Sequence, residues 1–464
     1  MNKYNRLCMI CIVQMIFTSA CGYLNKSIDT RSVPITEADL GRIKGLMFNT
    51  DVLNHGSPSI GELCSDNYYF TREQWRQLNE QTGSSYLWYP ISFGRWMNEY
   101  DQVSYANFAL EGLARIKRNP FNATQWDETK GRAHFYRATA FFNIAQLISL
   151  PYDSITAYND PGIPLKLTTD TSTRHNRGTV QQTYNQIISD LNSSLADLPL
   201  IPVANITPSV RAAHGMLARV FLSMRRYDPA LYHADQALQM NDHLLDFSAM
   251  NPNSIWPMPD PLSNKEIAFL SYMESTGIIA PPIQSTDPAL YQSYDPADLR
   301  RTMFFTIGRE GEVLFRGSYA KSTTCFSGIA NDELFLIRAE CHARAGRTDK
   351  AMDALNTLLV KRYLKGRFKP LSAQSAEDAL QQILTERRKE LVHRGLRWTD
   401  LRRLNKDPQT AITLQRKIGG KIFTLPPVDD RWVFLLPLNE INVSYMQQNP
   451  RDNIYLDIEA NQSL

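Results

Sequence analysis

The sequence predicts a mainly α protein, a scaffold of paired and repeated helices interrupted by one loop-rich, irregular excursion. Three observations carry that prediction. Small residues recur at matching positions in two helix pairs, a third pair is split by a long loop, and eight prolines crowd residues 244–330, where long helices cannot run. The chain has 464 residues, 43% hydrophobic and 21% charged, which is enough apolar material for a large buried core.

The clearest repeat lies in residues 211–240. Leu217, Ala218, Phe221, Ala230, Ala234 and Ala237 take the spacing of a tetratricopeptide repeat, in which small side chains let two antiparallel helices approach and Phe221 fills the gap. Arg225-Arg226-Tyr227 supplies the turn. Residues 334–362 keep the same register with Ala339, Gly346, Ala351, Leu355 and Leu358, and Gly346 is placed to stop the first helix. The third pair joins 133–148, carrying Ala138 and Phe141, to 180–198 across a loop at 150–177. Further helices are predicted over 36–48, 91–117, 375–394 and 439–448. The excursion at 244–330 is of the long, irregular kind that usually carries function.

At the N-terminus, Lys3 and Arg6 precede an apolar run over 7–17 that is too short to span a bilayer. It ends in Thr18-Ser19-Ala20-Cys21, the pattern of a bacterial lipoprotein signal cleaved ahead of a lipidated Cys21. Residues 1–20 are therefore expected to be a signal peptide, and 21–464 a single domain anchored to a membrane by lipid alone. Once Cys8 and Cys11 are removed and Cys21 is modified, Cys64, Cys325 and Cys341 remain. They share no metal-ligand spacing, and no disulfide or metal site is expected. Fifty Lys and Arg against 47 Asp and Glu give a formal charge of +3, too weak a field to collect nucleic acid.

The sequence contains no HExxH, GxSxG, GxxxxGK[ST] or glycine-rich dinucleotide turn, so no catalytic residues are assigned and no cofactor is expected. A glycoside hydrolase needs only two facing carboxylates, which keeps it as the competing enzymatic reading. A pure protein-interaction scaffold is a third.

The segment Glu386-Arg387-Arg388-Lys389-Glu390-Leu391-Val392-His393-Arg394-Gly395-Leu396-Arg397-Trp398-Thr399-Asp400-Leu401-Arg402-Arg403 is very similar to the signature of SusD/RagB-like proteins. So is Phe434-Leu435-Leu436-Pro437-Leu438-Asn439-Glu440-Ile441-Asn442 followed by Gln448-Asn449-Pro450. Upstream, Trp96-Met97-Asn98-Glu99-Tyr100, Arg137-Ala138, Asp298-Leu299-Arg300-Arg301 and Ile337-Arg338-Ala339-Glu340 resemble family landmarks in the expected order. The resemblance implies a non-enzymatic lipoprotein on the surface of the outer membrane. Such a protein captures a nutrient, more often an oligosaccharide than a peptide, and hands it to a SusC-like TonB-dependent barrel transporter.

Two sets of residues are candidates for roles. On the signature helix Leu380, Leu384 and Leu391 form an apolar stripe that Arg387 interrupts. A buried cation requires a carboxylate, with Glu390 or Asp400 as acceptor, and the three are expected to form a structural clasp. The second set comes from two aromatic-rich stretches outside the regular helices. One runs from Asp66 to Phe70 and continues with Trp75, Tyr86, Trp88 and Tyr89; the other holds Trp256, Tyr272, Tyr291 and Tyr294. Such rings also plug seams between loops and helices. The expected ligand site is a stacking platform drawn from Tyr68, Tyr69, Trp88, Trp256 and Tyr291, with Asp66 and Asn67 hydrogen-bonding the ligand.

Overall fold

The structure, a computed structural model, describes residues 36–56, 58–89, 98–170, 176–274 and 285–451. The signal segment, Cys21, Trp96 and Met97 lie outside them. Among the described residues no helix is long and apolar enough to cross a membrane.

Helices dominate, and they pair as the small-residue register requires. Val210–Ser223 packs on Tyr227–Met240, and Asn331–Arg344 packs on Thr348–Leu359. Ala218, Ala230, Ala234, Ala237, Ala339 and Ala351 are wholly buried where the helices approach. Gly346 adopts a φ of +71° just beyond the helix ending at Arg344, a conformation that glycine reaches without steric cost. The split pair also forms: Ala123–Ile148 packs on Val180–Asp197, whose start is fixed by a capping box of Thr179 and Gln182. Its first helix begins ten residues before the expected 133, because Thr129, Gly131 and Arg132 are buried against neighbouring elements and extend the helix backwards.

Other expected helices have different bounds. The one expected over 91–117, of which 91–97 lie outside the described residues, includes Glu99–Ala114, and the one over 439–448 runs Leu438–Ser444. The one over 375–394 ends at Glu390, since His393 takes a left-handed φ of 54° and turns the chain into a second helix, Arg397–Leu404. The helix pairs then stack in series, Tyr227–Met240 on Asn331–Arg344 and that helix on Ala376–Glu390, around one large apolar core.

The excursion is irregular, as its prolines demand, but it is not coreless. Phe304, Phe305, Phe315, Tyr319 and Phe326 gather with Tyr68, Phe70 and Tyr86 into a second, aromatic core. A small antiparallel sheet runs through it in the order Tyr68–Tyr69, Ser285–Thr286, Val313–Phe315, Phe305–Ile307. A hairpin of Leu414–Ile418 and Lys421–Leu425 closes beside it.

Candidate functional site

The signature segment is the junction between the two cores. Arg387 Nε donates to Asp400 Oδ2 at 2.8 Å, and Arg403 Nε donates to the other oxygen of Asp400 at 2.9 Å. Burial alone would raise the Asp400 carboxyl, but the Arg387 and Arg403 guanidiniums outweigh it and hold the group below its ordinary range. Glu390 does not serve Arg387. It accepts from Arg362 Nε at 2.7 Å and from Arg300 Nη1 at 3.0 Å, because the last helical turn aims it at the excursion. Arg300 also binds Asp298 and Glu386, and Arg362 reaches Glu266 at 2.7 Å. Glu266, Asp332 and Glu390 approach one another closely; Arg362 meets Glu266 and Glu390, Arg300 meets Glu390 and Arg394 meets Asp332, while burial raises the Glu266 carboxyl to about 7.

Beside this junction lies a polar cleft of about 430 Å³. Its walls come from Asp66, Tyr68 and Tyr69, from Asp287 and Pro288, from Arg388, and from residues 412–417. The two-residue strand decides which ring faces it. Successive strand side chains point to opposite faces, so Tyr69 is 37% exposed at the cleft while Tyr68 is buried with its hydroxyl donating to the Leu63 carbonyl. The same alternation on the hairpin turns Gln415 and Lys417 outward and Arg416 inward, where its guanidinium lies 3.9 Å from the Tyr86 ring centre and donates to the Tyr68 and Ser65 carbonyls.

The expected platform therefore does not form as a set. Trp88 is core: it is 4% exposed, its Nε1 donates to the Cys64 carbonyl at 3.0 Å, and Arg416 packs on its face. Asn67 is fully buried and donates to Glu62 Oε1 at 2.7 Å. Burial pushes the Glu62 carboxyl up to about 7 against the hydrogen bonds from Asn67, Gly395 and Ser65. Asp66 is held by Arg397 through two bonds of 2.7 and 2.9 Å. Burial would raise its carboxyl, yet Arg397 and Arg388 drive it well below the usual range. Tyr291 packs edge-on against Phe305 beneath the Arg301 guanidinium, and Trp256 is half-buried elsewhere in the excursion; neither lines the cleft. Of the seven expected ligand residues, Asp66, Tyr68 and Tyr69 meet at the cleft, and Tyr69 alone presents a free face.

Asp287, Arg388, Gln415 and Lys417 were not anticipated. Asp287 caps the short helix Pro288–Gln292 and accepts from Arg388 Nη2 at 2.9 Å, which ties two walls together. The Asp-Pro pair was a readable helix-start signal.

Family models match two long stretches of the chain. Residues 42–222 match a model described as starch-binding associating with outer membrane, and residues 333–451 match the SusD family model. The chain belongs to the SusD/RagB family. SusD family binding proteins are non-catalytic, and the family is one of outer-membrane glycan binders. No curated protein matches significantly. Among solved structures, a SusD superfamily protein from Bacteroides thetaiotaomicron is 20% identical with a TM-score of 0.72, covering 89% of this chain and 100% of its own. A laminarin-binding SusD-like protein is 16% identical with a TM-score of 0.66, covering 90% and 100%. A SusD-like carbohydrate-binding protein from Bacteroides vulgatus is 17% identical with a TM-score of 0.60, covering 83% and 89%. At these identities the likeness establishes the fold, which this SusD-family chain shares.

Proposed function

We propose that this protein captures an oligosaccharide at the outer membrane and hands it to a SusC-like TonB-dependent transporter, held to the membrane by lipid on Cys21. The observation that carries the reading is the cleft at Tyr69, a free aromatic face beside carboxylates that are already paired. Asp66 and Arg397, and Asp287 and Arg388, neutralise one another, leaving fixed groups that can hydrogen-bond hydroxyls, with the Lys417 ammonium as the exposed charge. The Tyr69 ring offers an apolar surface to pyranose C–H groups, and Gln415 and Lys417 flank it. Family membership and relatives that bind laminarin and carbohydrate support a glycan over a peptide.

Titration calorimetry with a panel of neutral oligosaccharides tests this. Tyr69→Ala should weaken binding by ~1–3 kcal/mol, by analogy with base stacking on aromatic rings, with the melting temperature unchanged. Undiminished affinity in the variant removes Tyr69 from the site. Separately, Cys21→Ala should abolish metabolic labelling with a palmitate analogue; label retained on the variant would overturn the anchor.

A further inference from the structure

A second and larger cleft, of about 690 Å³, opens at one end of the helical stack, away from Tyr69. Four helices end here, at Ile148, Ser223, Arg344 and Leu404, and the turns that follow them line it. Its charge is one-sided. Arg225, Arg226, Arg344 and Lys406 line it against the single carboxylate of Asp407. Part of this charge answers the carbonyl ends of the helices. The remainder is poorly matched. Arg344 takes Asp407 at 2.9 Å, whereas Arg225 and Lys406 share one oxygen of neighbouring Asp153 at 3.4 Å each, longer than charge-assisted bonds of about 2.7–2.9 Å. Arg226 makes no ion pair among the described residues and lies over the Phe221 ring instead.

Two further features point to a ligand. Arg225 Nε is buried without an acceptor, while the left-handed φ of 58° at this residue belongs to the turn between Val210–Ser223 and Tyr227–Met240. Tyr158, 67% exposed, stands at the rim with a free face, and Tyr227 lies beneath Arg344. Counting Asp153 and Glu340, which lies 3.5 Å from Arg344, four cations meet three carboxylates, and a ligand carboxylate would draw the loosely held cations together.

We propose that this cleft is a second, anion-selective site that takes the carboxylate of an acidic oligosaccharide, with Arg226 and Lys406 as charge contacts and Tyr158 as the stacking ring. The glycan character of the ligand rests on the function proposed above, while the selectivity for charge does not.

Calorimetry on the whole mature protein separates the two clefts, using a galacturonate hexasaccharide and a neutral glucose hexasaccharide. The uronate should bind about tenfold tighter to this cleft than the neutral chain, with affinity falling as salt rises. The doubly substituted R226E/K406E, both positions at the surface, should lose the uronate by at least about tenfold while keeping its melting temperature and its neutral-glycan binding. Tyr69→Ala should leave uronate binding intact, even where neutral-glycan binding proves absent. Uronate affinity equal to that of the neutral chain, retained in R226E/K406E, or lost in Tyr69→Ala would overturn the proposal. So would equal binding of a short peptide through its terminal carboxylate.

Discussion

The helical stack and the excursion solve the same problem in different ways. In the stack the backbone satisfies itself, and buried Ala and Leu decide how closely the helices approach. Arginines there mostly reach carboxylates on neighbouring helices, as Arg137 does with Asp190 and Arg403 with Glu340. The excursion has few ladder bonds, so guanidiniums stand in for them. Arg316 donates to the carbonyls of Pro252, Ser254 and Thr302 and Arg362 to Leu245, and in the aromatic stretch packed against the excursion Arg416 serves Tyr68 and Ser65 in the same way. Irregular chain can be buried where a multi-donor cation collects its carbonyls. The stack tolerates small changes in shape one layer at a time, whereas the excursion depends on a few residues that each hold several segments.

Substitutions can break or sharpen that contrast. The largest effect is expected at Arg300→Ala, which leaves Asp298, Glu386 and Glu390 facing one another with less cation between them. It should cost roughly 3–5 kcal/mol in thermal melting, with hydrogen exchange rising first over 244–330. Exchange spread evenly over the helices would mean that the excursion is not separately held. Next, Leu355→Ala in the stack should cost about 3 kcal/mol through the cavity left behind, and its loss should not vary with salt. A salt-dependent loss would show charge at work where packing was assigned.

Glu62 gives a pH signature on the order of 3 kcal/mol. Its folded carboxyl keeps a proton up to about 7, while the unfolded group releases it near 4.5. The unfolded state therefore binds fewer protons between those values, and this contribution to stability falls as pH rises from 4.5 to 7, then levels. Melting of the wild type relative to Glu62→Gln should follow that curve, and parallel profiles would refute it. The smallest effect is expected at Arg387→Ala. Asp400 retains Arg403, so the loss should be about 1–2 kcal/mol and not the larger loss of a stranded carboxylate. A cost as large as that at Arg300 would make Asp400 depend on Arg387 alone.

The stack was legible because its signal is periodic and local. Ala234 or Leu355 can be placed by counting, and Gly346 announces its own turn. The cleft was legible only in outline. The stretch from Asp66 to Phe70 does reach it, yet whether Tyr68 or Tyr69 faces out depends on pairing with Ser285–Thr286, more than two hundred residues away. Asp66 looked free because its partner Arg397 lies 331 positions on. The hairpin at Leu414–Ile418 did carry a local signal: Gly419 and Gly420, both at positive φ, form the two-residue turn that such hairpins favour. Reading that pair would have placed Gln415 and Lys417 on one exposed edge.

The walls of the Tyr69 cleft come from four stretches, ending with residues 412–417 near the far end of the chain. Helical partners such as Val210–Ser223 and Tyr227–Met240 are neighbours in sequence and can associate as soon as both exist. The cleft must wait until almost everything else is in place. Its presence is thus a built-in checkpoint on completeness: a fragment stopping short of residue 412 lacks one wall of the cleft however well its helices form.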